Sequence, residues 1–172
     1  AAQIKAGTFT GYESEETTHF SIVDKYGNAV SITTTLNDSY GSRIIVNGCG
    51  FILNNEMDDF SAKPGEQNLY GLIGGEANAI APGKRMLSSM TPTIVEKDGQ
   101  LFMVVGTPGG STIITSVFQN IINVIEFDMT MQEAVDAARF HNQWLPDEIK
   151  IENDFNETTV AALKAKGYKI TD

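Results

Sequence analysis

Apolar and polar positions divide the chain into β-hairpins followed by helices. His19 to Asp24 and Ala29 to Leu36 are β-rich runs flanking Lys25-Tyr26-Gly27-Asn28, a hairpin signal. A third apolar run, Gly50 to Leu53, leads into Asn54-Asn55-Glu56-Met57-Asp58-Asp59-Phe60. Pro92 to Glu96 and Gln100 to Gly106 form a second hairpin around Asp98-Gly99, and Met103-Val104-Val105 reads as a strand buried on both faces. An apolar helical run then extends from Thr112 to about Glu126. The capping box Thr130-Met131-Gln132-Glu133 opens a second helix, expected to reach about Arg139. A third helix starts at the cap Asn156 and runs to Lys166, stopped by Gly167, where a left-handed C-cap is needed. Tyr168 to Thr171 reads as a strand that is just beginning, which we take as a sign of truncation. Hairpins followed by helices indicate an α+β layered fold.

Two stretches lack such periodicity. Residues 1–16 are small, polar and finally acidic, and read as a linker or tail. Ser61 to Arg85 holds seven Gly and Pro residues, yet Leu69, Tyr70, Leu72 and Ile73 punctuate it, as suits a loop that lies down over something.

Composition narrows the functions. A chain of 172 residues is one domain or a large part of one. Its net charge of −10 would repel nucleic-acid phosphates, so no nucleic-acid partner is expected. The longest apolar candidate for a membrane span, Ile113 to Phe127, is broken by Gln119, Asn120, Asn123 and Glu126. No signal peptide is visible at the amino end. Cys49 is alone, and His19 and His141 are far apart, so neither an intrachain disulfide nor metal-ligand spacing exists, and no cofactor is expected.

Several short motifs can carry chemistry. Thr17 lies where the acidic loop meets the first strand, a place that also suits any β-branched residue. Pro108-Gly109-Gly110-Ser111, between a strand and a helix, is either a tight turn or a nest of backbone amides for an oxyanion or phosphate. Ser88-Ser89 after Lys84-Arg85 is a polar turn or a carboxylate cradle beside positive charge. Glu56 with Asp58-Asp59 is a solvated acidic loop or an ammonium site. Asn37 ends the Thr33-Thr34-Thr35 strand at a site or starts a turn. His141 and Trp144 read as a satisfied histidine and a packed indole before they read as ligands.

Together these motifs have a recognisable order. Thr17-Thr18-His19, Asn54 to Phe60, Leu87-Ser88-Ser89-Met90-Thr91-Pro92-Thr93, Pro108 to Ser111 and Arg139-Phe140-His141-Asn142-Gln143-Trp144-Leu145-Pro146 closely resemble the small, catalytic subunit of γ-glutamyltranspeptidases. These belong to the N-terminal-nucleophile hydrolase superfamily. The resemblance runs from about Glu15 almost to Asp172. It implies an αββα sandwich, here partial, with residues 1–16 as the tail of the large subunit and residues 17–172 as a C-terminally truncated catalytic domain. It also implies self-cleavage between Glu16 and Thr17, after which the new α-amine serves as base to the Thr17 hydroxyl; such an amine has a pKa of about 7.7–8.0.

By the same resemblance, Thr35 supports the nucleophile, and Gly109 and Gly110 form the oxyanion hole. Asn37, Glu56 and Asp59 hold the substrate α-ammonium, and Ser88 and Ser89 hold its α-carboxylate. Pro64 to Gly75 is a lid with Tyr70 as its aromatic gate. The implied substrates are γ-glutamyl amides such as glutathione, with amino acids, peptides or water as acceptors. The implied partner is the large subunit, which in the family contributes an Arg to the carboxylate site, and the implied location is periplasmic or extracellular. An unfilled sheet position would allow a homodimer of fragments. The alternatives are a cephalosporin (glutaryl) acylase on the same scaffold, or an inactive precursor fragment that only binds ligand.

Overall fold

A computed structural model describes residues 17–171. Residues 1–16, and with them Glu16 and the expected tail, lie outside the described residues. Strands β1 (Thr17–Val23) and β2 (Ala29–Thr35) pair antiparallel, with Thr17 opposite Thr35. The turn between them is set by Asp24, whose carboxylate accepts from the Tyr26 and Asn28 amides at 2.8 and 2.9 Å. This hairpin is polar on its inner face. Thr17 and His19 face inward opposite Thr35 and Thr33, with the exposed Ser21 opposite Ser31 farther along the same face, while Phe20, Ile22, Val30 and Ile32 are exposed on the outer face. The His19 ring binds the Thr33 and Ser21 hydroxyls at 2.8 and 3.0 Å and lies against Gly106, and burial lowers its pKa.

The second hairpin, β3 (Thr93–Lys97) with β4 (Gln100–Val105), has a bulge between Val95 and Glu96. It carries the main helix, α1 (Ile113–Glu126). The core forms where Met103 and Val105 meet Val117, with Val95, Ile121 and Val124 packed around them. Residues 113, 117, 120, 121 and 124 recur on one face at helical spacing. Met103 and Val105 are buried under α1, whereas Phe102 and Ile94 on the opposite face are exposed in this chain. Ser31 joins the two hairpins by donating to the Val105 carbonyl at 3.2 Å.

The remaining elements form a small sheet. Helix α2 (Met131–Asp136) carries the expected capping box, with Glu133 N–H donating to Thr130 Oγ1 and Thr130 N–H donating to Glu133 Oε2. It ends three residues before Arg139 because the chain is pulled into an extended path there. Both the Arg139 amide and its guanidinium bind Glu152, at 2.9 and 3.0 Å. That grip starts β5 (Phe140–His141), which pairs antiparallel with β6 (Ile149–Ile151). After α3 (Glu157–Ala165), Gly167 takes φ +93° as a C-cap requires, and β7 (Ile170–Thr171) pairs parallel with β6. Strands β5 and β6 have only two and three residues, too few to show a period. The Gly50 to Leu53 run is likewise no strand; it closes a tight loop through an isolated bridge between Ile45 and Ile52.

Candidate active site

The sequence motifs converge on one cleft of about 460 Å³. Thr17 and Thr35 line it from paired strand ends, and the Thr17 hydroxyl donates to Thr35 Oγ1 at 3.0 Å. Thr35 Oγ1 also accepts from the Asn37 amide at 3.0 Å. Asn37, two residues past the end of β2, takes a left-handed conformation, φ +76°, which its short polar side chain tolerates. It is buried, lines the cleft, and its carbonyl accepts from the Tyr70 hydroxyl at 2.7 Å.

Across the cleft stand the acidic turn and the paired serines. Residues Glu56–Asp59 form a 3-10 turn in which only Asp59 is buried. The Ser89 hydroxyl donates to Asp59 Oδ2 at 2.9 Å, so the acid and hydroxyl groups that the sequence assigns to opposite ends of a ligand are here directly bonded. Burial pushes the Asp59 carboxyl above its ordinary value, the Ser89 bond opposes that, and the Asp58 charge adds to it. Glu56 is raised too, by burial and then by the charge of Asp59. A cation between such carboxylates would relieve both effects. Glu56 is not among the side chains lining the cleft, although Asp58 and Asp59 are. Ser88 lines the cleft, but its hydroxyl donates to the Met90 carbonyl at 2.9 Å. The positive charge expected beside the serines is turned away, since Lys84 Nζ binds the carbonyls of Ala77 and Ala79.

Gly109 and Gly110 carry the chain from β4 into α1 at φ +139° and +55°, a path that side chains resist. Among the described residues, neither amide has a protein acceptor. Gly110 lines the cleft; Gly109 does not, and caps the turn that precedes α1. A methyl group on Gly110 would stand 3.1 Å from Tyr70 Cε1, so the Tyr70 ring closes over this turn.

The loop that the sequence leaves irregular does lie along the cleft, and Asp58 holds it there by accepting from the Leu69 amide at 2.9 Å. His141 is a satisfied histidine, bonded to Thr115 and Gln143, and it lines the cleft. Trp144 is not packed: it is 69% exposed, at φ +75°. Sequence reasoning missed Asn78 and Gln143. Asn78 donates to the Asp59 carbonyl at 2.7 Å and accepts from the Leu87 amide at 3.1 Å, spanning the acidic turn and the serine segment. The partners of Asn78 and the Tyr70 carbonyl that Gln143 grips lie far along the chain, so the local sequence does not announce either role.

A family sequence model described as gamma-glutamyltranspeptidase matches residues 1–172. The chain belongs to the gamma-glutamyltranspeptidase family. It is 54% identical over 170 residues to the glutathione hydrolase proenzyme of Escherichia coli (strain K12), an alignment covering 99% of this chain and 29% of that protein. Among solved structures, it is similar to a mutant of the Helicobacter pylori gamma-glutamyltranspeptidase at 57% identity and a TM-score of 0.86, covering 90% of this chain and 83% of that one. A cephalosporin acylase from Bacillus halodurans matches at 28% identity and a TM-score of 0.75, over 89% of this chain and 26% of that one. The α+β class expected from the sequence is thus the gamma-glutamyltranspeptidase fold. The chain spans under a third of the length of its Escherichia coli relative. No helix among the described residues is long and apolar enough to cross a membrane.

Proposed function

We propose that this chain supplies the nucleophile and the glutamyl-binding wall of an enzyme that hydrolyses or transfers γ-glutamyl groups, with glutathione as a substrate. The observation that carries the reading is the 3.0 Å bond between the Thr17 and Thr35 hydroxyls in a cleft that also holds the Ser89–Asp59 pair. In this reading residues 1–16 are the tail of a large subunit and residues 17–172 are the catalytic domain. The Thr17 hydroxyl attacks the Glu16 carbonyl carbon, the Glu16–Thr17 C–N bond breaks, and water hydrolyses the resulting ester. The reaction leaves a free α-amine on Thr17, and only then is a base available beside the hydroxyl.

In turnover that amine takes the Thr17 proton while Oγ1 attacks the substrate γ-carbonyl. The Gly109 and Gly110 amides stabilise the oxyanion, a contribution of about 2.7–4 kcal/mol per donor in comparable sites. The amine leaving group departs with the proton, and water or an acceptor amine then releases the γ-glutamyl ester. Asn37, Glu56 and Asp59 hold the α-ammonium, and Ser88 and Ser89 hold the α-carboxylate together with an Arg of the large subunit. Tyr70 gates entry. The location is periplasmic or extracellular. A glutaryl acylase shares the scaffold, but an aliphatic acid without an α-ammonium gives the buried Asp59 no counter-charge.

Intact mass before and after incubation near neutral pH tests the first step. Release of residues 1–16 with a new N-terminus at Thr17, absent in Thr17→Ala, is the expected result. A Thr17→Ala chain that still cleaves and still transfers would sink the assignment. Turnover of a γ-glutamyl anilide over a glutaryl one separates the two substrate classes.

A further inference from the structure

Gln143 has an amide whose orientation is fixed by its partners. Its Nε2 donates to the Tyr70 carbonyl at 3.1 Å and to the Leu145 carbonyl at 3.0 Å. Turning the amide over would set its oxygen against two carbonyl oxygens, so Oε1 must face the other way, toward His141 Nε2 at 3.0 Å. Oε1 accepts only, so His141 carries its proton on Nε2. Its Nδ1 lies 2.9 Å from the Thr115 hydroxyl, which also donates to the Thr112 carbonyl at 3.0 Å. His141 is buried on β5, and α1 supplies Thr115. The series from Thr115 through His141 to Gln143 thus runs from the rigid helix to the backbone of a loop residue.

That loop residue is Tyr70, which is held at two further points. Its hydroxyl donates to the Asn37 carbonyl at 2.7 Å, and its ring lies against Gly110. The geometry points to Gln143 as a positioning residue that clamps the backbone of Tyr70, and with it the 64–75 loop, over the Thr17 cleft, with its Oε1 set on His141. Asn37 fixes where the ring ends, and Gln143 fixes where the backbone sits. Asp58 holds the neighbouring Leu69 amide, and Gln143 adds the hold on the Tyr70 carbonyl itself. The consequence for substrate binding rests on the γ-glutamyl reading, whereas the clamp itself does not.

Gln143→Glu is nearly isosteric and replaces both donors with acceptors that repel the Tyr70 and Leu145 carbonyls. Gln143→Met keeps the length without charge and serves if the Glu variant does not fold. Chymotryptic cleavage after Tyr70 is measured against cleavage after Tyr26, which is 78% exposed and serves as an internal reference. The ratio should rise about tenfold in either folded variant, the loss expected from two hydrogen bonds that hold a local opening shut. An unchanged ratio in a variant with the parent's far-UV spectrum overturns the clamp, and this readout needs no turnover. In the complete, processed protein, KM for a γ-glutamyl anilide should rise about tenfold with kcat altered less than about twofold. A fall in kcat at constant KM would overturn the positioning role. A glutaryl preference would instead overturn the substrate reading and leave the clamp standing.

Discussion

Replacing Thr35 by Val keeps the shape of the side chain and removes one oxygen that serves two donors. The Thr17 hydroxyl loses its 3.0 Å acceptor, and the Asn37 amide loses another at 3.0 Å. Asn37 is only 3% exposed, so water cannot readily replace the missing partner. A buried donor left unsatisfied costs about 1–3 kcal/mol. At about 2 kcal/mol, the middle of that range, and about 2–4 °C per kcal/mol for a chain of this size, Thr35→Val should melt about 4–8 °C below the parent. Thr35→Ser keeps the oxygen and gives up one methyl, so it should lie within about 3 °C of the parent. Thermal denaturation followed by far-UV circular dichroism measures both. Mass spectrometry on the same samples should show release of residues 1–16 slowed at least about tenfold in Thr35→Val and little changed in Thr35→Ser. A Val variant that melts and cleaves like the Ser variant would refute the reasoning, because the oxygen would then be dispensable to both donors.

Other perturbations separate stability from function. Burial raises the Asp59 carboxyl, so its contribution to stability is complete in acid, below its unfolded value, and is lost as pH rises through its folded value. Asp59→Asn, which can still accept from Ser89, should therefore melt at or above the parent at pH 7, and the gap should close toward pH 4. The same variant should bind a γ-glutamyl ligand at least about tenfold more weakly by calorimetry. Gly106→Ala would drive a methyl group into the His19 imidazole, and should lower stability by about 1–3 kcal/mol in urea unfolding. Thr130→Ala removes a capping box remote from the cleft, so it should cost about 1 kcal/mol in the same assay while leaving ligand affinity unchanged.

Local signals in the sequence are reproduced where the cause is local. Asp24 to Asn28 closes its turn with its own side chains, Thr130 and Glu133 cap α2, and Gly167 ends α3. Where a distant partner decides, the sequence is silent. Arg139 ends α2 early because Glu152, thirteen residues on, takes hold of it. The lysine before the serines is drawn to carbonyls in the preceding loop instead of the cleft. Ser89 and Asp59 are thirty residues apart, and their bond is invisible to any window along the chain. The order of motifs nonetheless brought Thr17, Thr35, Asn37, Asp59, Ser88, Ser89, Tyr70 and Gly110 to one cleft, while Glu56 and Gly109 stand just outside its lining. Trp144 was misread because an indole is usually packed, and the left-handed backbone that turns this one outward has no signature in its residue type.

The first hairpin is dressed the reverse of most half-buried strands. Its hydroxyls and imidazole face the interior, and Phe20, Ile22, Val30 and Ile32 face out. A strand slipped by one residue exchanges its two faces, and within this chain burial of apolar area does not oppose the slip. What holds the correct pairing is directional: the Thr17–Thr35 contact, the two bonds of His19, and Ser31 on Val105. The inward alignment of Thr17 is therefore selected by matching of donors to acceptors and not by hydrophobicity. Substitutions that make this inner face greasier would trade fidelity of register for bulk stability, and Thr17, at the strand end, would be the first residue to point the wrong way.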